Sequence, residues 1–202
     1  MKKLFLIGGM GAGKSTARKA LTDEGLAWID LDQVGHEVLT WGTVKDDLRG
    51  AFGDGIFDEG GEVVRAELAA VAFASPAATR KLNCITMPRI EERYTDLIDE
   101  FEHEGKPAVV VEYSVFRNRQ QSLAYGADVV IAVLAPLEVR IERAVASGFS
   151  EEDVRARIAR QITDADRIEA ADVVFNNDGT PEELRNEVLA WWNEYKKEIW
   201  LG

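Results

Sequence analysis

Gly8-Gly9-Met10-Gly11-Ala12-Gly13-Lys14-Ser15-Thr16 decides how the rest of the chain reads. Gly8, Gly13, Lys14 and Ser15 fit the spacing G-x-x-x-x-G-K-[ST] of a phosphate-binding loop. Leu4-Phe5-Leu6-Ile7 before it is a short apolar run with strand character, and Thr16 to Leu21 after it can form a helix. Strand, loop and helix in that order are the context the motif needs. Glycines let the backbone curl so that its N–H groups face inward as an anion nest, and the helix adds its positive end. The loop therefore predicts a nucleoside triphosphate, ATP or GTP. Its N–H groups from Gly9, Met10, Gly11, Ala12 and Gly13 through Thr16 would cradle phosphate, Lys14 would reach the β- and γ-phosphates, and Ser15 would hold Mg²⁺ through its hydroxyl.

Working outward, Ala27-Trp28-Ile29 reads as a second strand that ends at Asp30-Leu31-Asp32. In a parallel sheet the carboxyl ends of strands face the ligand crevice. If the chain stays extended there, Asp30 and Asp32 point the same way. One could orient or deprotonate an acceptor hydroxyl and the other hold Mg²⁺ through water. Ala108-Val109-Val110-Val111-Glu112 is a continuous apolar run closed by a carboxylate, as in a central parallel strand. Glu112 is a second candidate for a substrate or Mg²⁺–water contact. Arg117 and Arg119 follow in a polar loop where they could meet phosphate.

Strands near residues 3–7, 27–30, 108–113, 128–134 and 171–175 alternate with helical segments. That pattern predicts an α/β fold, an open parallel five-stranded sheet with helices on both faces. Residues 34–105 are a long helical excursion, more than a β-α-β crossover needs, and read as a subdomain for a second substrate. Its apolar positions, Val71 and Phe73 among them, read as core. Further on, Arg140, Arg143, Arg155, Arg157, Arg160 and Arg167 gather on a helical pair of an acidic chain. Such a pair can close over phosphates as a lid. Ser150 with Asp153, and Thr180 with Glu183, are helix-starting caps. Asn176 to Gly179, at the end of the last strand, could receive a nucleotide base.

Composition sets limits. The chain has 202 residues and a formal net charge of −12, which argues against nucleic acid as the main partner. No apolar run approaches a membrane span. The first strand begins within a few residues of Met1, leaving no room for a signal peptide. A single cysteine, Cys84, fits a reducing cytoplasm and reads as a small buried apolar side chain.

Taken together these segments resemble the dephospho-coenzyme A kinases, from Leu4 to about Leu184. The loop resembles the family's P-loop, and Ile29-Asp30-Leu31-Asp32 its isoleucine-aspartate-x-aspartate signature. Arg143 matches a lid arginine, Arg157, Ile158 and Gln161 its R-I-x-x-Q segment, and Ala171-Asp172-Val173-Val174 with Asn177-Asp178-Gly179 its ending. The resemblance implies one P-loop kinase domain. Residues 1–33, 106–136 and 168–202 would form the nucleotide-binding core, 34–105 the helical acceptor subdomain, and 137–167 the lid. It implies ATP as donor with Mg²⁺, and dephospho-coenzyme A as acceptor, phosphorylated on its 3′-hydroxyl. Lys14, Asp32 and Arg143 would be catalytic, with Asp32 as base. Asp30, Asp32, Glu112, Arg140 and Arg157 would meet substrate, and Asn177 and Gly179 the nucleotide. No nucleic acid or membrane partner is expected, and the protein would be a cytoplasmic monomer or weak homo-oligomer.

Three places depart from the family pattern: Met87-Pro88 where it has His-Pro, Tyr113-Ser114-Val115-Phe116-Arg117 where it has P-L-L-F-E, and Ser147 at a second lid arginine. They keep two alternatives open, a P-loop kinase for a nucleoside or nucleotide, and a non-catalytic ATP-binding protein. A GTPase switch is disfavoured, because Asp58-Glu59-Gly60-Gly61 matches D-x-x-G by letters alone and no N-K-x-D motif is present.

Overall fold

A computed structural model describes residues 1–201. The chain divides into two compact units, one formed by Met1–Asp30 and the residues from Glu100 onward, the other by Leu31–Asp99. In order, the elements are β1 (Lys2–Gly8), α1 (Lys14–Asp23), β2 (Ala27–Asp30), α2 (Leu31–Val38), α3 (Gly42–Phe52), α4 (Arg65–Ala72), α5 (Pro76–His103), β3 (Ala108–Glu112), β4 (Val129–Leu134), α6 (Leu137–Ala146), α7 (Glu151–Ala159), α8 (Asp164–Ala170), β5 (Val173–Asn176) and α9 (Pro181–Leu201).

The first unit is built on the expected parallel sheet. Its order is β2-β3-β1-β4-β5, and every pairing is parallel. Leu4 to Ile7 and Val109 to Val111 are almost wholly buried. Unbroken apolar runs of this kind are what strands covered on both faces require. Ala17, Ala20 and Leu21 of α1, spaced three and four apart, meet Leu184, Val188 and Trp192 of α9 in one core cluster with Leu4, Leu6 and Val110. Small residues on α1 let it lie close to the sheet, and the larger side chains of α9 fill the space beyond. Trp191 stacks on Tyr195 with ring centroids 5.1 Å apart and meets the edge of Phe175 at 6.2 Å.

Register fixes what lies at the carboxyl edge. Glu112 is paired with Leu6 of β1 and with Asp30 of β2. Asp30 and Glu112 are thus neighbours on adjacent strands, just where β1 runs out into the glycine-rich loop. The chain does not stay extended beyond Asp30, since α2 starts at Leu31. Strand alternation therefore cannot align Asp32 with Asp30, and Asp32 occupies the first turn of α2 instead.

The second unit closes around Val44, Leu48, Ile56, Leu68 and Ala72. Its Gly/Asp-rich loop is shaped by Asp58, whose Oδ1 accepts from the N–H groups of Gly60 and Glu62 at 2.9 and 2.8 Å. The same loop closes on a bridge between Phe57 and Val63. Two core expectations fail here. Val71 and Phe73 are exposed, at 41% and 65%, because Leu68 and Ala72 are the positions of α4 that turn inward. Cys84 is exposed on α5 rather than buried.

The caps form as the sequence predicts. Ser150 Oγ accepts from the Asp153 N–H at 3.1 Å, and Thr180 Oγ1 accepts from the Glu183 N–H at 3.2 Å. Thr163 and Asp166 add a capping box at the start of α8. Among the described residues, no helix is long and apolar enough to cross a membrane.

Candidate active site

The loop from Gly9 to Gly13 joins β1 to the first turn of α1 and forms the floor of a cavity of about 640 Å³. Gly11 and Gly13 have φ of +74° and +105°, left-handed values that a side chain would strain. Space is also short, with backbone in the way at Gly11 and side chains that would have to move at Gly9 and Gly13. A Cβ at Gly9 would overlap the Arg140 guanidinium, at Gly11 the Arg140 carbonyl, and at Gly13 the Asn177 amide.

An inward-facing nest of N–H groups requires the loop's carbonyls to be satisfied elsewhere. Arg140 Nε donates to Met10 O at 3.0 Å. Asn177 Nδ2 donates to Ala12 O at 2.8 Å. Lys14 Nζ donates to Gly8 O at 2.9 Å and to Gly9 O at 3.4 Å. The Met10 N–H turns the other way, to Gln161 Oε1 at 3.1 Å.

Above this floor stand the groups that give the cavity its chemistry. Lys14, Ser15 and Thr16 line it at the start of α1, and Ser15 is exposed. Glu112 lines it from the end of β3, with an ion pair to Arg18, Nε to Oε1 at 3.5 Å. Arg18 is itself held over the Trp28 ring, 4.1 Å from its centroid. Arg143 lines the cavity too, donating through Nη1 to Asn177 O at 3.3 Å and through Nη2 to Gly179 O at 3.2 Å. Phe149 and Pro181 add apolar surface to the lining, of a kind a flat base can lie against. A cation, a hydroxyl at a helix start and a carboxylate lining one cavity suit a magnesium-bound polyphosphate. Among the described residues no three His, Cys, Asp or Glu side chains are gathered as a metal cluster. Mg²⁺ on a P-loop asks for none, since it keeps several waters and takes one or two protein oxygens with phosphate oxygens.

The sequence-predicted residues separate on this geometry. Gly9 to Thr16, Glu112, Arg143 and Asn177 all line the one cavity. Asp30 is registered beside Glu112, and Gly179 is tied to Arg143. Arg140, expected at the substrate, is elsewhere: the residue is 4% exposed and lies against the loop's backbone, outside the cavity lining. Burial pushes its guanidinium below its ordinary pKa and the nearby Asp164 carboxylate opposes that. Arg157 is exposed and sits over the Phe149 ring, 5.3 Å from its centroid. Arg119 is bound to Asp172 and to Ala170 O, the reverse of a side chain waiting for phosphate. Asp32 belongs to the second unit. The sequence gives no local signal for the braces under the loop. Gln161 stands out only as part of the R-I-x-x-Q resemblance and Asp164 not at all, and neither shows its role until the fold brings them to Met10 and Arg140.

The dephospho-CoA kinase family model matches residues 4–183. A dephospho-CoA kinase of Corynebacterium jeikeium is 40% identical over 194 residues, 95% of this chain and 98% of that protein. Among solved structures, a Thermus thermophilus protein superposes with a TM-score of 0.81 at 26% identity, covering 96% of this chain and 97% of its own. The dephospho-CoA kinase from Campylobacter jejuni shares the fold, with a TM-score of 0.64 at 21% identity over 96% of each chain. With the loop, its braces and the cavity above it, these matches place the chain in the dephospho-coenzyme A kinase family.

Proposed function

We propose that this protein transfers the γ-phosphoryl group of ATP to the 3′-hydroxyl of dephospho-coenzyme A, giving coenzyme A and ADP. The observation that carries the reading is the cavity over the phosphate loop, with Lys14, Ser15, Glu112 and Arg143 on its walls. The hydroxyl oxygen attacks the γ-phosphorus, the bond to the β,γ-bridging oxygen breaks, and the hydroxyl proton passes to the Asp32 carboxylate. Lys14 exchanges its two carbonyl contacts for β- and γ-phosphate oxygens. Arg143 faces charge that develops on the transferring group. The Ser15 hydroxyl would hold Mg²⁺, with Asp30 or Glu112 orienting waters, and the ion would supply neutralisation of phosphate charge. Positioning and electrostatics then supply most of the rate. We place the reaction in the cytoplasm, on a monomer or weak homo-oligomer with a small-molecule partner and no nucleic acid.

The test is ADP release from ATP with and without dephospho-coenzyme A, with the product weighed by mass spectrometry. ADP release that depends on the acceptor, and a product heavier by one phosphoryl group, are expected. Transfer to nucleosides alone, or tight ATP binding with no transfer, would overturn the assignment. Lys14→Ala and Asp32→Asn should each lower turnover at least about a hundredfold, as loss of a charge-stabilising group or of a proton acceptor does. Near-normal turnover in Asp32→Asn would remove that residue as the base.

A further inference from the structure

The phosphate loop is gripped at Met10 from two sides. Arg140 Nε donates to the Met10 carbonyl at 3.0 Å, and Gln161 Oε1 accepts from the Met10 N–H at 3.1 Å. The two peptide units that flank Met10 are therefore both held by side chains that lie outside the loop. Arg140 comes from α6, and Gln161 from the link between α7 and α8.

Arg140 is in turn fixed from behind. Its Nη1 lies 3.5 Å from both carboxylate oxygens of Asp164, and Arg167 Nη1 bonds the same carboxylate. Arg140 and Arg167 are each 4% exposed. Two buried guanidinium groups on one carboxylate leave an uncompensated positive charge, which is costly unless other dipoles meet it. The outward-turned Met10 carbonyl is such a dipole. Arg140 Nη2 is buried with no hydrogen-bond partner among the described residues, directly against Gly9. A Cβ at Gly9 would displace the guanidinium from its place against the loop.

A carbonyl turned inward would oppose phosphate, and one turned out and unsatisfied would cost about 1–3 kcal/mol. Arg140 removes that cost at Met10 through a charge-assisted bond. Gln161 removes the matching cost for the Met10 N–H, which faces away from the nest. We propose that Arg140 and Gln161 are positioning residues for the phosphoryl donor, which fix the two peptide units around Met10 and so set nucleotide affinity from the α6 to α8 segment without touching nucleotide. The proposal rests on the reading of the loop as an ATP site.

Gln161→Met in the full chain tests it, since this change keeps the side chain's length and removes the acceptor. Arg140 is deeply buried and its removal risks misfolding, so Arg140→Lys is the second variant. ATP dissociation constants are measured by calorimetry without acceptor, together with kinetic constants, the thermal midpoint and amide hydrogen exchange at Met10. In Gln161→Met, Met10 exchange should quicken and the ATP dissociation constant rise about three- to tenfold, the worth of one hydrogen bond. The acceptor KM and the thermal midpoint should stay close to wild type. Gln161→Glu, which restores an acceptor oxygen, should restore slow Met10 exchange. Combining Gln161→Met with Arg140→Lys should weaken ATP binding by less than the product of the single effects, because both act through Met10.

Wild-type ATP affinity in Gln161→Met overturns the proposal, and so does unchanged Met10 exchange. A uniform loss of ATP affinity, acceptor affinity and thermal midpoint would assign these residues to stability alone and also overturn it. Because the decisive readout is ATP binding without acceptor, a wild-type protein that failed to phosphorylate dephospho-coenzyme A would count against the activity and not against the brace.

Discussion

Gly11→Ala isolates the demand the phosphate loop makes on its backbone. Gly11 has φ +74°, and a Cβ there would overlap the backbone carbonyl of Arg140. Two costs combine. Holding an alanine in the left-handed region costs roughly 1–2 kcal/mol. Forcing a methyl group against an atom that cannot rotate away costs about 1–3 kcal/mol more. The Arg140 carbonyl belongs to a helix and yields little, so the loop must move, and its N–H groups leave the nest. If about 2–5 kcal/mol of strain is relieved by abandoning the binding geometry, ATP affinity falls at least about thirtyfold. Gly25 supplies the control. It has φ +91°, with nothing within 4 Å of a built Cβ. Gly25→Ala should lose only the left-handed cost and keep ATP affinity. Guanidinium denaturation and ATP calorimetry on both variants give the four numbers needed. Gly11→Ala binding ATP within about threefold of wild type, with a stability loss no greater than that of Gly25→Ala, would refute the steric account.

Two further expectations concern stability. Leu48 is fully buried in the core of the second unit, so Leu48→Ala should destabilise by about 2–5 kcal/mol, read as a lower denaturation midpoint. Asp128 is pushed up by burial and pulled down further by the Lys2 ammonium and the Lys3 N–H, each at 2.8 Å, so its carboxyl titrates below its ordinary value. With the folded value below the unfolded one, its stabilising contribution is complete above about pH 4 and is lost as pH falls through the folded value. Thermal scans between about pH 5 and 3 should show a shallower decline in Asp128→Asn than in wild type. Equal slopes would rule this pair out as a source of acid sensitivity.

What the sequence discloses is what short-range patterns encode. The five strands follow from apolar runs and the loop from its glycine spacing, because both depend on neighbours in the chain. Glu112 is legible as a strand end, but its place beside Asp30 depends on sheet order, which inserts β3 between β2 and β1. The alignment of Asp32 with Asp30 is conditional on an extended chain, and the helix begins one residue after Asp30, so that spacing is absent. Arg140 and Arg143 lie three residues apart on one helix of an arginine-rich stretch, and although the family resemblance singles out Arg143, both are expected at the ligand. Packing sends them to different places, burying one against the loop and leaving the other on the cavity wall. Asn177 carries two tasks where its position at a strand end suggests one: its side-chain amide bonds Ala12 O, and its carbonyl accepts from Arg143.

The sheet tapers. Its inner strands β1, β4 and β3 run to 7, 6 and 5 residues, whereas β2 and β5 at the borders have 4 each. A border strand offers unpaired peptide groups to any passing chain, and a stub of 4 residues offers few, on a molecule with a formal charge of −12. Copies that meet edge to edge find little to hydrogen-bond and a shared negative charge to overcome. The taper therefore guards against ribbon-like aggregation, and it does so without a proline or a bulge in either border strand.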